Sequence, residues 1–290
     1  MKQEKKEKAK KTKKKRKWST IIFLSVFFIG LLVMLYPTIS NYWNMRSQSK
    51  AIVDYEKMLE SIPKKDYAKY FSDAEEYNKN LSELQLPLIE HEKLDGYFDL
   101  LNLTNTGMMG YVTIEKINVE LPLYHGTDDD VLSIAVGHIQ GTSLPVGGAG
   151  THAVVSAHRG LPSATLFTNL DKLELGDTFR ITVLDRVLTY QVDKIQTVNP
   201  DDTSALLVEE GEDLCTLLTC TPSGINTHRL LVRGVRIETI EHKTIYVTSD
   251  AYRIDSLIVT PIVALPILFT LIMIVFFKPV QKSQNGEDLE

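Results

Sequence analysis

The chain has 290 residues, 43% of them hydrophobic and 24% charged, with a formal net charge of −5. That length gives room for one sizeable domain with appendages, or for two small domains. The charge is laid out unevenly: residues 1–17 carry eleven Lys/Arg against two Glu, so the remainder holds 21 basic and 35 acidic side chains. A basic tail on an acidic body argues against nucleic-acid binding by the body and suits a tail near anionic lipid headgroups.

After the basic tail no residue from Trp18 to Met45 is charged, and residues 21–35 are almost wholly apolar. The spacing predicts a transmembrane helix over residues 18–37, with Trp18 and Tyr36 at its ends. A cleaved signal peptide is the alternative, but the apolar run is long for one and no A-x-A-like site follows.

Residues 38–89 are predicted helical. Tyr67, Tyr70, Phe71, Ala74, Tyr77, Leu81 and Leu84 recur at helical spacing, which marks a packing face. A shorter helix around Ile52, Tyr55 and Leu59 should stop near Pro63. Residues 90–110 have no clean period. From Tyr111 the texture is that of short strands, at 111–114, 119–124, 152–157, 178–184, 187–192, 214–220 and 230–237. Asp185-Arg186 fits a two-residue hairpin turn, and residues 164–173 a short helix. Many short strands spaced by turns imply a mainly β domain over 111–240, a barrel or sandwich. A linker, 241–255, leads to a second apolar run, 256–277, bounded by Asp255 and Lys278. Such a run reads as a second span, followed by a short tail, 278–290. The lysine-rich N-terminus belongs inside, so two spans return the C-terminus inside and leave the body outside, on a two-pass membrane protein.

Chemistry has few candidates. Cys215 and Cys220 are the only cysteines. They lie five apart in one predicted strand, so alternation points them to opposite faces and they cannot bridge. No C-x-x-C is present, and no upstream Cys or His stands at metal-ligand spacing. Cys220 is therefore an inert buried thiol or a nucleophile. Its place at a strand end, before Thr-Pro-Ser-Gly, favours accessibility. A nucleophilic thiol needs a base to share its proton and a cation to hold the developing oxyanion. THAVVSAHRG ends a strand on His158, and NTHRLLVRG opens the next strand after Cys220 with Arg229, nine residues on. His152 reads as structural and His228 as pointing away from Arg229. His125 and His138 sit in glycine-containing loops with no evident partner. The acidic run Asp128–Asp130 reads as a turn or helix N-terminus in preference to a cation site.

Taken together, TLLTC, HAVVSAHRGLPSATLFTNLDKLELGD and TPSGINTHRLLVRG resemble the sortases, membrane-anchored cysteine transpeptidases of Gram-positive bacteria, and within them the pilus-assembling class C. The resemblance covers about residues 50–240 in detail, and anchors at both ends suit that class. It implies an eight-stranded sortase β-barrel preceded by N-terminal helices, with Cys220 as nucleophile, His158 as acid/base and Arg229 as the stabiliser of substrate and oxyanion. It also implies a pilin partner carrying an LPxTG-like sorting signal, and chemistry that needs no cofactor. Class C members often carry a lid with an Asp-Pro-aromatic motif just before the barrel. The matching stretch here is Asp95-Gly96-Tyr97-Phe98, with glycine in place of proline. The resemblance thus implies that Tyr97 covers Cys220 and that Asp95 reaches Arg229, in a lid loosened by Gly96. An ordinary linker is the plain alternative. On function, a hydrolytic cysteine peptidase of the same fold and a tethered non-catalytic β-domain remain the alternatives.

Overall fold

The computed structural model describes residues 2–239 and Phe269. Helix α1, Lys2–Ser61, runs without a break. The predicted N-terminal span and the short helix after it are therefore one element, since nothing between them ends a helix. From Ile21 to Ser61 it is long and apolar enough to cross a membrane. Pro37 sits inside it, as membrane helices allow. The predicted linker 241–255 and, apart from Phe269, the second span 256–277 lie outside the described residues.

Helix α2, Lys64–Ser82, starts after Pro63. The predicted face is the buried one: Tyr67, Phe71, Ala74, Tyr77 and Leu81 join the main core. Two polar devices fix its register. The Arg186 guanidinium lies 3.6 Å over the Phe71 ring and pairs with Glu75 at 2.8 Å. Asn78 donates to the Leu144 carbonyl at 3.0 Å and accepts from the Leu144 N–H at 2.7 Å, as a neighbouring strand would. Residues 90–110 are irregular, as expected. The short helix α3, Pro87–Glu90, and a 3-10 turn, His91–Lys93, lead into a series of turns.

Eight strands follow: β1 Met108–Ile114, β2 Val119–His125, β3 Val136–His138, β4 Thr151–Ser156, β5 Thr178–Val183, β6 Arg186–Val198, β7 Asp213–Thr221 and β8 His228–Ile237. They close into a barrel in the order β1-β2-β3-β4-β7-β8-β6-β5, with β5 paired back onto β1. All seven predicted strands are present. The eighth, β3, is three fully buried residues, too short to show a period of two. Strand β6 runs on to Val198 through a register shift between Val192 and Lys194. The β5–β6 turn is Leu184-Asp185, one residue before the predicted pair, because Val183 faces Arg186 across the hairpin. Residues 164–173 form turns and one 3-10 turn, Leu170–Lys172, in place of the expected helix.

Helix α1 docks on the barrel through Ile52 and Tyr55, which pack with Met108. The Tyr55 hydroxyl donates to the Met109 carbonyl at 2.8 Å and accepts from the Leu184 N–H at 3.0 Å. One buried oxygen thus joins β1 to the β5–β6 turn. Leaving either backbone group unpaired would cost about 1–3 kcal/mol.

Candidate active site

Strand register brings the three predicted residues to one end of the barrel. In the antiparallel β7–β8 pair, Cys220 faces Arg229 directly. In the parallel β4–β7 pair, Ser156 lies beside Leu218. Cys220 is two residues beyond Leu218 and His158 two beyond Ser156, where β4 ends, so the same register carried on past the strand would set His158 level with Cys220 and on its face. Val154, Leu218 and Leu231 share an apolar cluster on that face, and His158, Cys220 and Arg229 continue those three rows by steps of two or four. Two bonds fasten the ends of β4 and β7: Ala157 N–H to the Leu218 carbonyl at 3.2 Å, and the buried Thr219 hydroxyl to the Ala157 carbonyl at 2.8 Å.

The two cysteines divide as parity requires. Cys215 is fully buried, and burial pushes its thiol well above the ordinary range. Cys220 is partly exposed, and both are free thiols. Among the described residues no hydrogen bond joins Cys220 to His158, an open geometry that substrate-free sites often show. Arg229 donates from Nη1 to the carbonyls of Asn226 and His228, each at 3.2 Å. Its Nε and Nη2 make no hydrogen bond among the described residues. Guanidinium donors of this kind can hold the charge that gathers on an acyl oxygen.

Sequence reasoning missed the brace around His158. Arg159 reaches across to the Thr221 hydroxyl at 3.4 Å and pairs with Asp171 at 2.5 Å. Gly160 has φ +73, and a Cβ there would collide with the Ser223 hydroxyl. The loop after His158 and the loop after Cys220 therefore touch, and the touch requires glycine. A single strand pattern carries no signal for such a contact.

The expected lid contacts are not those of the structure. Tyr97 is buried, 2% exposed, at the β2–β3 junction, and β4 separates that junction from β7 in the barrel order. Its hydroxyl bonds His138 Nδ1 at 2.9 Å and accepts from the Gly126 N–H at 3.1 Å. Its ring packs edge-on against Phe98 and His125. Asp95 is exposed and makes no ion pair with Arg229 among the described residues. The reason is the phenol: a buried hydroxyl needs partners, and His138 and Gly126 supply them. Gly96 does take a positive φ, +84.

Three other histidines are buried in the fold. His152, read as structural, has Nδ1 bonded to the Leu207 carbonyl and Nε2 bonded to the Thr216 hydroxyl, both at 2.8 Å. His138 bonds the Ser143 carbonyl through Nε2 at 2.8 Å, and His125 bonds the Gly107 carbonyl through Nδ1 at 2.9 Å. Burial lowers the proton affinity of all three, that of His138 from 6.5 to about 4. Asp128–Asp130 open a short helix, Asp129–Leu132. No cluster of three or more His, Cys, Asp or Glu side chains fit to hold a metal occurs among the described residues.

Known proteins match this chain over the barrel. The sortase domain pattern matches residues 112–237. Sortase D of Bacillus subtilis is 34% identical over 131 residues, 44% of this chain, which spans 63% of that relative's length. The crystal structure of sortase C1 from Streptococcus agalactiae is 48% identical, with a TM-score of 0.62, covering 66% of this chain and all of that one. A sortase C of Streptococcus pneumoniae, whose structure is described as informing its pilin substrate specificity, is 41% identical. Its TM-score is 0.58, over 66% of this chain and 97% of that one. The chain belongs to the sortase family, and its likeness to the sortase C1 structures places it in class C.

Proposed function

We propose that the protein is a two-pass membrane enzyme whose exterior domain cleaves an LPxTG-like sorting signal of a pilin and joins it to a lysine of another pilin. The observation that carries this is the pairing of Cys220 with Arg229 across β7–β8, with His158 just past the end of β4, the strand on the other side of β7. The Cys220 thiolate attacks the threonine carbonyl at the Thr–Gly bond. Arg229 stabilises the oxyanion, and His158 gives its proton to the departing glycine amine. The threonyl thioester that remains is attacked by a lysine amine, which loses its proton to His158. The products are an isopeptide bond and the regenerated Cys220 thiolate beside protonated His158. The pilin reading is supported by the Streptococcus pneumoniae relative. The membrane placement is supported by the apolar reach of α1 and by the basic tail before it.

The test is to trap the thioester between Cys220 and a sorting-signal peptide, with Cys220→Ala, His158→Ala and Arg229→Ala as controls. Product masses are then read with and without an amine acceptor. A Cys220-dependent adduct and an amine-linked product are expected. Water-resolved product alone, even with the amine present, would make it a hydrolase. A Cys220→Ala protein with full function would make it a scaffold.

A further inference from the structure

Helix α1 does more than reach the barrel. Its inward stripe changes character along its length. Asn41 and Asn44 are partly buried, Gln48 is 7% exposed, and Ile52 and Tyr55 are buried. The outward neighbours Tyr42, Trp43 and Met45 are 50%, 69% and 54% exposed. The apolar part of the stripe meets β1. The polar part meets backbone: Gln48 Nε2 donates to the Ile134 carbonyl at 2.6 Å, and Asn44 Nδ2 donates to the Ser163 carbonyl at 2.9 Å. Asn41 Oδ1 accepts both the Thr165 N–H at 2.9 Å and the Thr165 hydroxyl at 3.0 Å.

Ser163 and Thr165 lie in the loop that leaves His158 and returns to it. The Phe167 N–H donates to the His158 carbonyl at 3.1 Å, and the Gly160 N–H donates to the Thr168 hydroxyl at 3.1 Å. The loop is thus pinned at its base by His158's own backbone and at its tip by two asparagines of the anchor helix. On its far side Gly160 abuts Ser223 in the loop after Cys220. Asn41 is also close to the apolar run. Five residues of helix separate it from Tyr36, a rise of about 8 Å, and Tyr36, Tyr42 and Trp43 are residues of the kind that settle at headgroup level.

We infer that Asn41 and Asn44 are positioning residues: the membrane-anchoring helix holds the 160–166 loop and through it sets His158 against Cys220. The inference rests on the catalytic reading above. The bond polarities make it specific. Asn41 serves as an acceptor, a role aspartate keeps. Asn44 serves as a donor to a carbonyl, a role aspartate reverses.

The experiment uses the full chain in lipid nanodiscs, with the pH profile of Cys220 alkylation by iodoacetamide as a substrate-free readout. Cleavage of an LPxTG-like peptide supplies kcat and KM, and thermal unfolding checks folding. Asn41→Ala and Asn44→Asp should each displace the alkylation profile in the direction His158→Ala does. Each should lower kcat by roughly tenfold with KM little changed, the signature of misplaced chemistry rather than lost binding. Asn41→Asp should stay close to the parent. Parent-like profiles and kcat in folded Asn41→Ala and Asn44→Asp would overturn the inference, as would equal losses in Asn41→Ala and Asn41→Asp. If His158→Ala itself leaves the profile unmoved, the catalytic reading fails instead, so the two failures are told apart.

Discussion

Replacing Tyr97 by phenylalanine removes one oxygen from a buried site. That oxygen bonds His138 Nδ1 at 2.9 Å and takes the Gly126 N–H at 3.1 Å. With it gone, a buried acceptor and a buried donor are left unpaired, each costing about 1–3 kcal/mol. Part of that is offset because the phenol no longer has to be dehydrated, so the expected loss is about 2–4 kcal/mol. For a domain of this size that lowers Tm by roughly 5–15 °C. Thermal unfolding followed by near-ultraviolet dichroism measures it. The same preparation, alkylated well below its transition, should label Cys220 at the parent rate, since β4 lies between the Tyr97 site and β7. Faster labelling with an unaltered Tm would refute this reasoning, because it would put Tyr97 over the thiol.

Three other outcomes are expected. Because the folded state protonates His138 only near pH 4 and the unfolded chain near 6.5, the unfolded state binds more protons between those values. Stability is then full above about pH 6.5 and falls as pH drops toward 4, by about 3 kcal/mol from this group. His125 and His152 add in the same direction. Urea midpoints at several pH values show the slope, and His138→Gln should flatten it; an unchanged slope would remove His138 as its source. In the native protein a small alkylating reagent should label one thiol, Cys220, and in denaturant two; native labelling that survives Cys220→Ala would contradict the burial of Cys215. Gly160→Ala meets both a positive φ and the Ser223 hydroxyl, so it should lower Tm and peptide cleavage together. Ser223→Gly in the same background should recover part of the cleavage, and strictly additive losses would show that the two loops are not coupled.

Much of this architecture is written in local patterns. The helical spacing of Tyr67, Phe71, Ala74 and Tyr77 is the buried face of α2, and the odd separation of Cys215 and Cys220 is their division between core and surface. The register of Cys220 with Arg229 followed from a nine-residue return between two recognisable strands. What stayed hidden depends on partners far along the chain. His138 looked like a loop residue because β3 is three residues long, and without His138 nothing indicated which wall Tyr97 would choose. Asn41 and Asn44 fall in the helical segment just after the predicted span, where no local pattern marks them. Their partners, Ser163 and Thr165, lie about 120 residues away.

The closure of β5 onto β1 has a consequence for self-association. A sheet left open at both ends invites another copy to add itself strand by strand. Here the two strands that would form those ends, β1 and β5, pair with each other through residues 111–113 and 180–182. What stays open is one stretch of β6, which pairs with β5 only as far as Gln191 but with β8 as far as Val198. Asp193 and Lys194 stand at its start, and the register shifts there. Charges and an irregular register on an open strand discourage a second strand from pairing.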